Sequence, residues 1–138
     1  MTTLRFFDTN ILIYAVSRHP DEVQKRERAN ALLADGDGAI SVQVLQEFYV
    51  QVTRPTSAAF LPHDLAYEFI KTWRQLPVQE MTLGILDAAL EICRIHRFSY
   101  WDSAIVAAAR ALGCDTLYTE DLSHGREVEG ITIINPFR

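Results

Sequence analysis

The sequence predicts an α/β fold in which helices cover both faces of a parallel β-sheet. Short apolar runs alternate with stretches of helical periodicity along the whole chain, which is typical of βαβ units with right-handed crossovers. The 138 residues are 49% hydrophobic and include only 6 glycines and 5 prolines. This composition fits one compact domain with its own core, so we expect residues 1–138 to form a single domain.

Five short apolar segments have the length and composition of buried strands. They comprise residues 4–7, 39–40, 78–81, 116–118 and 131–134. Six segments with helical periodicity lie between them, from residue 10 to the break at residue 18 and over residues 21–34, 42–53, 62–76, 83–96 and 101–112. Ser41 and Thr82 stand where N-caps belong, and Gly113 suits a left-handed C-cap.

The last predicted helix is apolar on nearly all sides from Ala104 to Ala109, so we expect it to be buried. Only Ser103 and Arg110 are left to form its outward face. A buried helix that leads into a central strand starts at the carboxyl edge of the sheet, where α/β proteins place their functional side chains.

The overall charge argues against a broad basic surface for nucleic acid. Thirteen basic and 18 acidic side chains give a formal net charge of −5. Non-specific binding to phosphates depends on clustered Lys and Arg, and an acidic protein lacks that attraction. A nucleic-acid substrate would therefore need another source of positive charge close to its phosphates.

The remaining composition points to a cytoplasmic protein without a membrane partner. Cys93 and Cys114 lack CxxC spacing, and we interpret them as buried reduced thiols rather than zinc ligands. No segment approaches the roughly 20 apolar residues of a membrane span, and the first residues show neither a basic leader nor a long apolar run.

Four acidic residues are expected at the carboxyl edge of the sheet. Asp8 directly follows the first strand, and Asp121 follows the fourth after two further residues. Glu47 lies in the second turn of the helix that leaves the second strand. Asp102 lies in the first turn of the helix that enters the fourth strand. Because helices run antiparallel to the strands they connect, all four positions fall at the same edge.

Each acid also has a purely local interpretation. Asp8 suits a turn or a helix N-cap, and Asp102 suits the positive end of a helix dipole. Glu47 lies opposite an apolar stripe and fits a solvated glutamate, while Asp121 lies in a turn-like stretch with Glu120 as a possible fifth acid. Taken one at a time, these residues leave both interpretations open.

Convergence of the four acids favours a metal site. Crowded carboxylates repel one another and bind protons unless a multivalent cation is present. Hard oxygen ligands select Mg²⁺ or Mn²⁺, and such ions can activate water for phosphodiester hydrolysis. The chain contains no GxxxxGK[ST], GxGxxG, GxSxG or HExxH pattern that would indicate another common chemistry.

The segments that carry these acids resemble a PIN domain. They read FDTNIL at residues 7–12, YWDSAIVAAA at 100–109 and LYTEDL at 117–122, with the Glu47 helix between the first two. The length of the chain and its ending GITIINPF, residues 130–137, are similar to the VapC toxins of bacterial toxin–antitoxin pairs. The resemblance covers essentially the whole chain.

The resemblance implies a three-layer sandwich around a five-stranded parallel sheet of order 3-2-1-4-5, with strands one and four at the switch point. It also implies endonucleolytic RNA cleavage that depends on Mg²⁺ or Mn²⁺. The implied metal ligands and catalytic residues are Asp8, Glu47, Asp102 and Asp121. Asp8 and Asp102 would be the central pair, and the other two would act through water. Thr119 would orient Asp121 or water, Asn10 would brace the site, and Glu120 is a further supporting candidate.

Similarity to VapC further implies an RNA substrate, a homodimer and a cognate VapB-type antitoxin, with operator DNA bound only through the antitoxin. Two other functions stay open. A receiver-type phosphoacceptor domain has a similar size and acidic edge, although it needs paired acids after strand one and a late lysine, and this chain has a single Asp8 and no lysine after Lys71. A non-catalytic RNA-binding or protein-binding module on the same fold is the second alternative.

Overall fold

The computed structural model describes residues 3–138 and is built around one mixed, mostly parallel sheet of six strands. The strands are β1 (Arg5–Phe7), β2 (Gly38–Ser41), β3 (Val78–Gln79), β4 (Thr116–Tyr118), β5 (Glu127–Val128) and β6 (Ile131–Ile134). Their order in the sheet is β3-β2-β1-β4-β6-β5. This confirms the predicted α/β fold and the order of its five parallel strands, of which β6 is the predicted fifth.

The strand order reverses at β1, which pairs in parallel with β2 on one side and with β4 on the other. Phe6 is the register partner of both Ala39 and Leu117. The chain extends the β1–β4 pairing by one bond, because the Asp8 amide donates to the Tyr118 carbonyl at 3.0 Å. The crevice at this topological switch point is where α/β sheets bind their ligands.

The sixth strand, β5, was missed by the sequence analysis. It runs antiparallel to β6, with Val128 opposite Ile131, and the two strands are joined by Glu129 and Gly130. Both linking residues have positive φ, 54° and 80°, as a tight type I′ hairpin requires. A two-residue strand is too short to show a periodicity, and a glutamate at the first turn position gives no hairpin signal.

Six helices connect the strands: α1 (Thr9–Val16), α2 (Val23–Ala34), α3 (Val42–Val52), α4 (His63–Trp73), α5 (Leu83–His96) and α6 (Tyr100–Ala111). A 3₁₀ turn, Pro20–Glu22, precedes α2. The α1, α2 and α3 helices pack together, and α5 packs on α6. The chain runs from β1 to β2 and β3 in one direction across the sheet and then crosses back to β4. Because such crossovers are right-handed, the two groups of helices lie on opposite faces of the sheet.

The predicted helix caps at Ser41 and Thr82 are confirmed. The Ser41 hydroxyl accepts from the Val44 amide at 3.2 Å, and the Thr82 hydroxyl accepts from the Ile85 amide at 3.1 Å. The Ser41 cap fixes where α3 begins, at the end of β2, and so fixes the position of the Glu47 side chain one turn later.

The α6 helix is buried as predicted, but only one of the two residues expected on its outward face is exposed. Arg110 is exposed, whereas Ser103 is fully buried. The Ser103 hydroxyl donates to the Ser99 carbonyl of the preceding turn at 2.8 Å, so its burial leaves no unpaired donor. A serine that bonds its own helix can face the core, which the hydrophobic pattern alone does not reveal.

Both cysteines are free thiols. Cys114 is buried as expected, but Cys93 is only partly buried, and its thiol donates to the Phe98 carbonyl at 3.2 Å. Among residues 3–138, no helix has the length and apolar character needed to cross a membrane.

Candidate active site

A cavity of about 300 Å³ opens beside the carboxyl ends of β1 and β4. The four predicted acids, Asp8, Glu47, Asp102 and Asp121, all line it. Two further carboxylates, Glu22 and Glu120, complete its acidic lining, and no lysine or arginine of the described chain contributes to the wall. We call this cavity the acidic pocket. The four acids that were predicted to converge at this edge of the sheet therefore lie around one cavity.

Asp8 is the most buried of the four acids, with 6% of its surface exposed. Its two carboxylate oxygens accept from the Thr9 amide at 2.7 Å and from the Thr119 hydroxyl at 2.8 Å. Asp8 is also the N-cap of α1, so the local interpretation and the site interpretation hold together. Burial raises the pKa of Asp8 to about 7, the charges of Asp121 and Glu47 add to the rise, and the two donors oppose it.

Thr119 links the two acids that follow β1 and β4. Its side chain is fully buried, donates to Asp8 and accepts from the Asp121 amide at 3.0 Å. Asn10 donates to the Asp121 carboxylate at 3.1 Å and lies 3.4 Å from the Thr119 hydroxyl. Burial also raises the pKa of Asp121, and the Asn10 amide opposes this rise. These contacts fix the direction in which Asp121 faces the pocket.

Glu47 and Asp102 approach from the helices on the two sides of the sheet. Glu47 is half-buried on α3 and accepts from the Gln43 amide at 2.7 Å. The same Gln43 nitrogen donates to the Trp101 carbonyl at 3.2 Å and so ties α3 to the first turn of α6, which carries Asp102. Burial raises the pKa of Glu47, and the Asp102 and Asp121 charges add to it. Glu47 is thus not the freely solvated glutamate that its helical position suggested.

Glu120 lies in the pocket wall but is held by two partners. The Tyr14 hydroxyl donates to one of its oxygens at 2.5 Å, and the Lys25 ammonium lies 3.3 Å from the other. Its charge is therefore neutralised locally, unlike the charges of the other acids. Tyr14 follows Asn10 by four residues on α1, and this spacing puts both side chains on one face of the helix.

Sequence reasoning missed three contributors to this site: Tyr14, Gln43 and Glu22. Tyr14 carried a usable signal, because a polar tip at i+4 from Asn10 faces the same edge. Gln43 and Glu22 carried none, because their contacts depend on how α3 meets α6 and on the 3₁₀ turn after α1.

The residues present fit a hard divalent ion. Three buried side-chain oxygens of the described residues have no hydrogen-bond partner, and all three belong to residues that line the acidic pocket: Thr9 Oγ1, Asn10 Oδ1 and Gln43 Oε1. Carboxylate and other oxygen donors are the ligands that Mg²⁺ or Mn²⁺ prefers. Within residues 3–138, no three His, Cys, Asp or Glu side chains are already grouped as a metal site.

A parallel sheet with carboxylates gathered at its switch point defines a class of α/β domains with an acidic site at that edge. Within that class the chain belongs to the PIN domain family, whose model matches residues 5–126. The predicted family resemblance is thereby confirmed. The receiver-type alternative is set aside, because a receiver domain belongs to another family.

Solved structures similar to this chain include several toxins. A toxin–antitoxin complex from Klebsiella pneumoniae is 19% identical, with a TM-score of 0.69 over 96% of this chain and 97% of that chain. VapC20 of Mycobacterium tuberculosis, a toxin that cleaves the sarcin-ricin loop, is 22% identical, with a TM-score of 0.65 over 84% and 88%. A DNA-bound VapBC from Salmonella typhimurium is 21% identical, with a TM-score of 0.64 over 96% and 97%. At these identities the similarity is one of fold. No sequence among curated proteins matches the chain significantly.

Proposed function

We propose that this protein is a Mg²⁺- or Mn²⁺-dependent endoribonuclease that hydrolyses RNA phosphodiester bonds, and that it acts in the cytoplasm as a VapC-like toxin neutralised by a cognate antitoxin. The observation that carries the proposal is the meeting of Asp8, Glu47, Asp102 and Asp121 around one pocket at the switch point of the sheet. Membership of the PIN family supports the same activity.

Asp8 and Asp102 are the ligands that we assign to the ion, with Glu47 and Asp121 acting through water. The bound ion supplies positive charge and activates water for attack on phosphorus. Thr119 and the Thr9 amide hold the Asp8 carboxylate in a fixed orientation by their hydrogen bonds of 2.8 and 2.7 Å. Fixed ligands bind a cation with less loss of conformational freedom than mobile ones.

The charge of the pocket explains why such an ion is needed for RNA. Six carboxylates line the cavity without a basic neighbour in its described wall, and the chain carries a net charge of −5. A phosphate cannot approach this surface without a cation. A divalent ion bound by these carboxylates would supply the positive charge that the phosphate needs.

The same acidity suits inhibition by a protein partner. An arginine forms strong forked hydrogen bonds with a carboxylate, so an antitoxin segment with an arginine would fill the pocket and exclude the ion. Similar solved structures include toxin–antitoxin complexes, and three of the similar structures are bound to DNA. We include in the proposal a VapB-type antitoxin, operator DNA bound through that antitoxin, and a homodimer of this chain.

The test is RNA cleavage by the purified protein with Mg²⁺ or Mn²⁺, beside Asp8→Asn and Asp102→Asn. Asp87→Asn is the matched control, because Asp87 is exposed on α5 and outside the acidic pocket. We expect wild type and Asp87→Asn to cut RNA at the same positions, and EDTA or either pocket substitution to abolish cutting. Equal cutting by all four proteins would reveal a contaminating nuclease. RNA binding without cutting by wild type would favour a non-catalytic module.

A further inference from the structure

A second cavity, of about 510 Å³, lies beside the acidic pocket against the exposed side of α3. Its wall shares Gln43, Glu47, Gln51 and Trp101 with the acidic pocket, so the two cavities adjoin. The rest of its wall is formed by Gln46, Val50 and Arg54. We call it the side cavity.

Trp101 is the most unusual residue of this region, because 63% of its surface is exposed. An indole has a large apolar face and a polar N–H group, which is why tryptophan is enriched at binding interfaces, and this exposed indole lines both cavities. Its position is fixed from two sides. Tyr100 packs edge-to-face on the indole with ring centroids 5.0 Å apart, and Gln43 binds the Trp101 carbonyl. Binding of a cation by the neighbouring Asp102 does not require an exposed indole.

Gln43 supplies an independent observation. Only 4% of its surface is exposed, and its amide nitrogen is shared between Glu47 and the Trp101 carbonyl. Its amide oxygen is buried without a hydrogen-bond partner among the described residues, and the residue lines both cavities. An orphan acceptor of this kind is costly unless a ligand or water donates to it. Arg54, at the other end of the side cavity, is exposed and forms no salt bridge among the described residues.

We propose that the side cavity binds an unpaired nucleobase of the RNA strand next to the cleaved bond, an inference that rests on the proposed function. The base stacks on the Trp101 indole, its polar edge meets the glutamine side chains of the wall, and Arg54 contacts a phosphate further along the strand. Stacking on an aromatic ring beside amides and an arginine is how proteins hold single-stranded RNA.

The lining of the side cavity suits a base. More of its surface is apolar than polar, and it combines Trp101 and Val50 with three glutamines, Glu47 and Arg54. A base has two apolar faces and a polar edge, which matches one exposed ring surrounded by amides. A base in a duplex has its faces covered, so the site selects single-stranded or looped RNA.

The first test uses tryptophan fluorescence with substrates that cannot be cleaved. The chain has 2 tryptophans, and Trp73→Phe leaves Trp101 as the sole emitter. Trp73 is buried against Phe48 and Phe69, and circular dichroism verifies that the variant remains folded. The probes are nucleoside monophosphates with Mg²⁺, and ribose 5-phosphate is the control without a base. We expect the nucleotides to quench Trp101 and ribose 5-phosphate to leave it unchanged. Equal quenching by both, or by neither, overturns the inference.

The second test separates the base site from the metal site. Trp101→Phe keeps an aromatic platform, whereas Trp101→Leu keeps apolar bulk without a π-face. We expect Trp101→Leu to raise KM for RNA by about 5- to 150-fold, which is the loss of one stacked base. Trp101→Phe should stay within about 3-fold of wild type, because it retains much of the stacking. Mn²⁺ affinity measured by calorimetry should be the same in all three proteins.

The outcomes distinguish this inference from the proposed function. If wild type cuts RNA and Trp101→Leu has an unchanged KM, the base site is wrong while the nuclease stands. If wild type does not cut RNA but nucleotides quench Trp101, the proposed function fails and the cavity remains a nucleotide site. If Trp101→Leu weakens binding of a protein partner and leaves KM unchanged, the side cavity is a protein contact and the inference is overturned.

Discussion

Replacing Asp8 by asparagine should stabilise the metal-free protein at alkaline pH. Burial raises the pKa of Asp8 to about 7, so the folded protein resists ionisation of this carboxylate. Its ordinary pKa in an unfolded chain is about 3.9. The free energy of folding therefore becomes less favourable as the pH rises from about 4 to about 7, and it levels off above that range. Asparagine keeps the shape of the side chain and carries no charge.

The size of the effect follows from the same pKa. A rise of about 3 corresponds to about 4 kcal/mol at roughly 1.36 kcal/mol per pKa unit. Water entering the pocket lowers the cost of a buried charge, so we expect about half of this, on the order of 2 kcal/mol, to be measured. The substitution also has a cost that is included in this reduction: the asparagine oxygen can still accept from the Thr9 amide, but the asparagine amide nitrogen cannot accept from the Thr119 hydroxyl.

The assay is urea denaturation in EDTA at about pH 8, above this interval, and at about pH 4, its lower end. Asp8→Asn should be more stable than wild type at the higher pH, and the difference should nearly vanish at the lower pH. Asp87→Asn, on the exposed side of α5, should change the stability by less than about 0.5 kcal/mol at both. A destabilised Asp8→Asn at high pH, or an equal difference at both values, would refute the reasoning.

Three further outcomes follow from the structure. Mn²⁺ should raise the melting temperature more at about pH 8 than at about pH 5.5, since below its pKa Asp8 must first release a proton, and equal shifts would contradict this. Thr119→Val removes the donor to Asp8 and the acceptor of the Asp121 amide, so calorimetry should find Mn²⁺ affinity about 10- to 100-fold lower. Gly38→Ala places a Cβ 2.3 Å from the buried Phe7 ring and should cost about 1–3 kcal/mol in urea denaturation, whereas Gly84→Ala meets only the Thr82 hydroxyl at 3.6 Å and should not destabilise.

The position of the four acids could be predicted because it depends mainly on topology. Once five strands alternate with helices, a residue directly after β1 and another shortly after β4 must lie at one edge of the sheet. Glu47 and Asp102 follow by the same rule, since the first two turns of the helices at that edge are close to the strand ends. Neither residue needed an accurate helix boundary, and the observed starts of α3 and α6 lie within one residue of the predicted ones.

What the site does with these acids depends on contacts that local patterns do not encode. The Thr119–Asp8 hydrogen bond joins residues 111 positions apart, and the Gln43–Trp101 bond spans 58. Glu120 looked like another ligand by composition. Its pairing with Tyr14 and Lys25 appears only when α1 and α2 are packed beside the end of β4. The number of free carboxylates in the pocket is therefore a property of tertiary packing.

The distribution of paired and unpaired groups around the acidic pocket indicates what the fold leaves for a ligand. Lys25 neutralises Glu120, while the other predicted acids have no basic partner among the described residues. The pKa values of Asp8, Glu47 and Asp121 are all raised, with burial as the largest cause in each case. If these carboxylates served stability alone, each would be paired with a cationic side chain or fully exposed to solvent. In this protein the three carboxylates stay close together, beside the unpartnered oxygens of Thr9 and Asn10. Folding therefore creates repulsion between them. Under the proposed function, a bound divalent ion would remove that repulsion and stabilise the folded chain.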